Sequence, residues 1–222
     1  MARIARVVAP RLPHHVTQRG NRRLPTFLCD GDYGVYRDLM AHWCKHYSVR
    51  VWAYCLMPNH VHLVAVPKDL DGLCRAIGEA HRRYTRHVNF REGWRGHLWQ
   101  GRFASFLMDR DHLLTAVRYV ELNPVKAGLV DTPGDYPWSS ARAHLDGEDD
   151  DLVTVKPMLR EVGDWEGYLA LGVEEEPAAA MRRHERTGRP LGSDRFIKRL
   201  EKRLERTLRP RKRGPKGPWK HK

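Results

Sequence analysis

Apolar positions along the chain change period several times, and each change marks an element. Residues 14–21, His-His-Val-Thr-Gln-Arg-Gly-Asn, read as a strand running into a turn. In residues 30–47, Tyr36, Leu39, Met40 and Trp43 recur at helical spacing. Residues 49–56 and 60–66 are two apolar runs split by the turn signal Pro58-Asn59, which predicts an antiparallel hairpin. Residues 70–89 predict a second helix, with Leu73, Ile77, Ala80 and Tyr84 on one stripe and Arg75, Arg82, Arg83 and Arg86 elsewhere. Residues 91–101 form a loop rich in glycine and aromatics, and 100–108 a fourth strand. A third helix is predicted over 109–122, capped by Asp109 or Asp111 and stopped by Pro124. Strand–helix–strand–strand–helix–strand is the order of a ferredoxin-like α+β domain with an antiparallel sheet.

Beyond it, residues 146–151 carry five acidic side chains around Gly147 and predict an exposed loop. Residues 152–172 predict short helices and 174–186 a longer one. Gly188-Arg189-Pro190-Leu191-Gly192 breaks the pattern. A last helix follows, capped by Ser193 or Asp194, with Phe196, Ile197, Leu200, Leu204 and Leu208 on one side and mostly basic residues opposite. Residues 209–222 hold seven Lys or Arg, three Pro and no acid, a composition that does not fold alone. This divides the chain into a core over 1–145, an extension with short helices over 146–186, and a basic helix with a tail over 187–222.

The 222 residues carry a net charge of +13 and are 41% hydrophobic, which fits a folded, basic protein with a polyanionic partner, nucleic acid first. No apolar run approaches the ~20 residues that span a bilayer, and residues 1–10 are too short a stretch for a signal peptide. A cytoplasmic protein without a membrane partner is expected. Cys29, Cys44, Cys55 and Cys74 have no CxxC spacing, which argues against a zinc knuckle or redox motif.

Candidate chemistry centres on His60-Val61-His62. Side chains two apart on a strand share a face, so the two imidazoles form a clamp for a metal, or simply a polar strand start. On the third helix Tyr119 and Asn123 lie one turn apart and look toward one spot. The loop Arg19-Gly20-Asn21-Arg22-Arg23 offers guanidinium groups and amides to phosphates or base edges, or is an ordinary solvated turn. Tyr84 is a rival nucleophile that sits on an apolar stripe. Trp94 and Trp99 suit either base stacking or packing. Glu121 is a rival ligand on the apolar edge of its helix.

Taken together, several stretches resemble a family. Residues 55–64, Cys-Leu-Met-Pro-Asn-His-Val-His-Leu-Val, resemble the HUH motif (His, hydrophobic, His) of single-tyrosine, insertion-sequence-type transposases. Residues 118–128, Arg-Tyr-Val-Glu-Leu-Asn-Pro-Val-Lys-Ala-Gly, resemble their tyrosine helix. Residues 15–21, 97–103 and 137–140 resemble the branch called REP-associated tyrosine transposases. The resemblance covers about Val16 to Ser140. It implies an HUH endonuclease fold over 1–145 and cleavage of single-stranded or hairpin DNA, with a 5′-phosphotyrosine link and a free 3′-hydroxyl. By it, Tyr119 is the nucleophile and His60, His62 and Asn123 hold a divalent metal. Glutamine can stand at the last position in related enzymes. Mg²⁺ favours oxygen donors and Mn²⁺ accepts imidazole, so the choice between the two ions stays open. Nucleic-acid contacts are expected from Arg19, Asn21, Arg22, Arg23, Arg102, Arg211, Lys212 and Arg213, and both monomer and homodimer stay open.

Two other classes share parts of this pattern: a hairpin-binding protein without nuclease activity, and a hydrolase that uses its metal to activate water. Intact His60, His62 and Tyr119 argue against the first, and the second would leave no protein–DNA adduct. The tail generates a prediction of its own. Deleting residues 209–222 should weaken hairpin DNA binding and flatten its salt dependence, because each phosphate neutralised releases a counterion. Identical affinities and salt slopes for full-length and truncated protein would show that the tail does not engage DNA.

Overall fold

Strand alternation sorts two sets of side chains onto two faces of one sheet. In the computed structural model, which describes residues 4–210, strands β1 (His14–Arg19), β2 (Val49–Met57), β3 (His60–Pro67) and β4 (Ala104–Leu107) pair antiparallel in the order β2-β3-β1-β4. Helix α1 (Asp30–His46) joins β1 to β2, and α2 (Gly72–Glu92) joins β3 to β4. This is the ferredoxin-like α+β fold. Val16, Val61, Leu63 and Ala65 face α1 and α2, where Tyr36, Met40, Leu73, Ile77, Ala80 and Tyr84 complete one core. Tyr84 is fully buried and donates its hydroxyl to the Thr26 carbonyl at 2.7 Å, so it is a core residue. A register shift between Val51 and Ala53 turns the rest of β2, so that Ala53, Cys55 and Met57 face the opposite side.

That opposite face is covered by α3 (Arg110–Lys126) through Leu113, Ala116, Val117 and Val120. Asp109 caps the helix, its carboxylate accepting from the His112 amide. Pro124 does not stop the helix, contrary to the sequence expectation. It costs only the amide bond that would have reached Val120, and its ring is buried. The helix continues until Gly128, at φ 66°, and the Leu129 amide closes back onto the Pro124 carbonyl at 3.0 Å. Asn123 therefore stays inside the helix.

The fourth strand is shorter than expected. Residues 97–103 form a loop because Gly101 turns at φ 66°, and the Gln18 side chain holds its carbonyl at 3.0 Å. Trp99 is buried in that loop, its ring stacked 4.6 Å from His81, whereas Trp94 is half-exposed.

The later segments pack on both sides, Leu152, Val153 and Val155 joining the first core and others lying on the α3 side. Helices α4 (Ala141–Asp146), α5 (Lys156–Leu159), α6 (Trp165–Ala170) and α7 (Glu175–Thr187) follow, with Met158, Trp165, Leu169 and Met181 entering the second core. The acidic stretch is only partly a solvated loop: Asp150 accepts from the Tyr54 hydroxyl at 2.6 Å and from the Leu152 and Val153 amides. Helix α8 (Asp194–Leu204), capped by Ser193, lays Phe196, Ile197 and Leu200 on Val7, Ala9 and Leu107. No helix among the described residues is long and apolar enough to cross a membrane.

Glu121 is not free to act as a ligand. It is fully buried and accepts from His144 Nδ1 at 2.6 Å, Ser140 Oγ at 2.5 Å and Trp165 Nε1 at 2.9 Å. The network ties α3 to α4 and α6. Each buried donor left without its acceptor costs about 1–3 kcal/mol. Glu121→Ala strands His144 Nδ1 and Trp165 Nε1, leaves the Ser140 hydroxyl only the Tyr54 carbonyl at 3.3 Å, and should lower the unfolding free energy by about 2 kcal/mol or more. Urea denaturation reads this directly, and a loss under about 1 kcal/mol would show that the network does not hold α3 in place.

Candidate active site and nucleic-acid interface

The register of β1 against β3 builds the site. Arg19 pairs with His60, Thr17 with His62 and His15 with Val64, so all these side chains share the face beneath α3. The His60 and His62 rings are 4.9 Å apart at 77°, side by side as the alternation required.

Hydrogen bonds assign the His60 ring. Asn59 Nδ2 donates to the Arg23 carbonyl at 3.0 Å, which leaves Asn59 Oδ1 as the acceptor 2.6 Å from His60 Nδ1. His60 Nδ1 therefore carries the proton, and Nε2 keeps its lone pair. His62 Nδ1 lies 3.1 Å from His15 Nε2, and His62 Nε2 is buried with no hydrogen-bond partner among the described residues. Burial, then Arg19, pushes His60 down to about 4. Burial holds His62 well below the usual range, helped by His60, His15 and Arg19. Both rings are neutral at pH 7, the state that donates to a metal.

Helix α3 brings Tyr119 against His62 and His15. Its ring meets His62 edge-on at 5.8 Å and His15 at 6.5 Å. Burial first, then Glu185, raises the phenol, while Arg182 and Arg19 pull the other way. Asn123, one turn on, donates Nδ2 to the Tyr119 carbonyl at 3.0 Å, a bond that does not use Oδ1.

Sequence reasoning missed His15, Arg182 and Glu185. His15 had a detectable signal, since the two-residue period places it on the face of Thr17 and Arg19. Glu185 had none: it reaches the site from α7, far along the chain. One donor atom from each of His15, His62 and Glu185 lies within 4.8 Å of the others, a group that does not include His60. Burial pushes the Glu185 carboxyl up to about 7, against Arg19, Arg182 and Arg186.

A cleft of about 250 Å³ opens over the histidines, lined by Thr17, Arg19, His60, His62, Arg102 and Glu185 among others. A larger groove of about 560 Å³ runs past Asn21, His81, Arg82, His97 and Trp99, and Gln100 and Arg102 border both. Arg22 and Arg23 are exposed beside it in left-handed backbone conformations. The basic loop thus edges the histidine cleft and the groove at once. Arg211, Lys212 and Arg213 lie outside the described residues.

The comparisons with known proteins agree with this layout. Residues 10–123 match the family model described as "Transposase IS200 like", and the chain belongs to that family. A Haemophilus influenzae protein named as a REP-associated tyrosine transposase is 28% identical over 124 residues, 51% of this chain and 70% of that one. The REP-associated tyrosine transposase of Escherichia coli K12 is 24% identical over 97 residues, 43% of this chain and 55% of that one. A solved REP-associated tyrosine transposase bound to a REP hairpin shares the fold with TM-score 0.57 at 21% identity, over 69% of this chain and 92% of that one. The resemblance read from the sequence motifs is borne out.

The basic loop depends on Gly20. A Cβ there would sit 2.3 Å from the Leu24 carbonyl oxygen and 2.8 Å from Thr26 Cγ2, so any side chain must push the loop apart. Gly20→Ala should cost about 1–3 kcal/mol. It should also shift the amide resonances of residues 19–26 while leaving those of α8 in place. Unchanged spectra and stability would show that the loop tolerates the methyl group.

Proposed function

We propose that this chain cuts and rejoins single-stranded DNA beside a hairpin, through a 5′-phosphotyrosine link at Tyr119. The observation that carries the reading is the Tyr119 ring, edge-on to His62, whose neutral imidazole stands beside that of His60 on one face. Family membership and a hairpin-bound relative of the same fold support it.

The donor set fits a divalent cation. His60 Nε2 keeps its lone pair, His62 Nε2 is buried without a partner among the described residues, and Asn123 Oδ1 is the acceptor end of its amide. His60, His62 and Asn123 would hold Mg²⁺ or Mn²⁺, which when bound neutralises a phosphate oxygen and polarises phosphorus. The chain's own residues do the rest. The Tyr119 oxygen attacks phosphorus and loses its proton as the new O–P bond forms. The bond from phosphorus to the 3′-oxygen breaks, and that oxygen takes up a proton as a free hydroxyl. The reverse attack by a 3′-hydroxyl rejoins DNA and returns Tyr119. Arg182 and Arg19 favour the phenolate that burial opposes. Arg19, Asn21, Arg22, Arg23 and Arg102 bind the strand's phosphates and base edges along the cleft and groove.

Tyr119→Phe removes only the hydroxyl and keeps the ring contacts. It should abolish cleavage of labelled hairpin DNA in Mn²⁺, and the denaturant-resistant adduct with it, while DNA affinity stays within about threefold, under 1 kcal/mol. An adduct persisting in the Phe variant would exclude Tyr119 as the nucleophile. His60→Ala and His62→Ala should each lose metal-dependent cleavage and retain the wild-type circular dichroism spectrum. Full activity in either would remove that imidazole from the ligand set.

A further inference from the structure

Three buried polar atoms in the site have no hydrogen-bond partner among the described residues: His62 Nε2, His15 Nδ1 and Glu185 Oε1. Buried polar groups are normally paired, so three orphans in one place call for an account. They are linked through the contacts that do exist. His15 Nε2 meets His62 Nδ1 at 3.1 Å with the two rings nearly parallel, at 12°. On its other side His15 Nδ1 faces Glu185 Oε1 at 3.7 Å, outside hydrogen-bond range but with no rival partner for either atom among the described residues. Glu185 sits on α7, beyond the stretch that matches the family. Helix α7 is anchored there by Ala178 and Met181, both buried.

We infer that Glu185 and His15 form a positioning relay that fixes the tautomer of His62, so that His62 presents Nε2, and not Nδ1, to a metal ion. With Glu185 ionised, the state its neighbours Arg19, Arg182 and Arg186 favour, only one proton arrangement satisfies every contact. A proton between the two rings belongs either to His15 Nε2 or to His62 Nδ1. If His15 Nε2 carries it, the neutral ring turns a bare Nδ1 lone pair toward an acidic oxygen, and two acceptors face each other. If His62 Nδ1 carries it, His15 Nδ1–H points at the Glu185 oxygen. Every ring nitrogen then has a role, and the one lone pair left over is His62 Nε2. A metal-binding histidine whose other nitrogen donates to an acceptor is better oriented and more basic. His60 shows the same logic through Asn59 Oδ1. This inference rests on the proposed metal site but adds residues that the ligand set does not contain.

The test reads protons before it reads chemistry. Long-range ¹⁵N–¹H spectra of the full-length, metal-free protein report which nitrogen of each histidine is protonated. His15 and His62 should both be Nδ1–H. Glu185→Ala should give mixed tautomers at both rings and weaken Mn²⁺ binding about 10-fold, measured by electron paramagnetic resonance. Glu185→Gln keeps an oxygen acceptor and should restore the wild-type tautomers, with affinity within about threefold of wild type. Glu185 is only 20% exposed but lies at the edge of the core, and thermal melts check that each variant is folded. A wild-type His62 found as Nε2–H would overturn the relay. So would weaker Mn²⁺ binding in Glu185→Ala with both tautomers intact, which would make Glu185 a direct ligand. Tautomers and affinity both unchanged in Glu185→Ala would overturn it as well. None of these readouts involves cleavage, so a failure of Tyr119 as the nucleophile would leave them as expected.

Discussion

The register between β1 and β3 is the constraint on which the site depends. Side chains alternate with a period of two, so a slip of one residue would send His60 and His62 into the core in place of Val61, Leu63 and Ala65. That core admits no such exchange, because α1 and α2 close over the apolar set with the large rings of Tyr36 and Tyr84. The hydrophobic pattern of one face therefore fixes the polar content of the other. Pairing with β1 then adds His15, Thr17 and Arg19 to that face without any further requirement on the sequence.

A polar site on a buried sheet face has to be paid for in partners. The structure meets part of this through the His60–Asn59 and His62–His15 contacts, and the rest by keeping the imidazoles neutral. The same logic operates one layer higher. Glu121 lies in α3 between Tyr119 and Asn123, and its carboxylate collects donors from Ser140, His144 and Trp165. Those bonds fix the rotation of α3 about its own axis, and with it the face on which Tyr119 stands. The tyrosine is thus aimed by a residue that never meets the cleft.

Much of this was legible in the sequence because it is periodic. The hairpin around Pro58-Asn59, the shared face of His60 and His62, and the Tyr119–Asn123 turn all follow from periods of 2 and 3.6. The misreadings have local causes. Pro124 looked like a stop, but a helix tolerates one missing amide bond where the ring is buried and Gly128 supplies the real end. Residues 100–103 looked like strand, but Gly101 and the Gln18 side chain hold them as a loop. Glu185 could not be read at all. Its position depends on where α7 docks, and that is set by Ala178 and Met181 meeting a core assembled from distant segments.

The family match ends at residue 123, yet the site does not. Tyr136 donates its hydroxyl to the Leu56 carbonyl at 2.7 Å, and the Trp138 carbonyl accepts from the Leu56 amide at 2.8 Å, so the free edge of β2 is covered by later residues. Helix α7 then closes the side of the cleft where Glu185 stands. The opposite side is bordered by Arg19, Gln100 and Arg102, where the cleft adjoins the larger groove. Glu185 and Arg186 line the cleft as well, a carboxylate next to a guanidinium. The matched residues supply His60, His62 and Tyr119, and the unmatched ones cover the β2 edge and add Glu185 to the cleft.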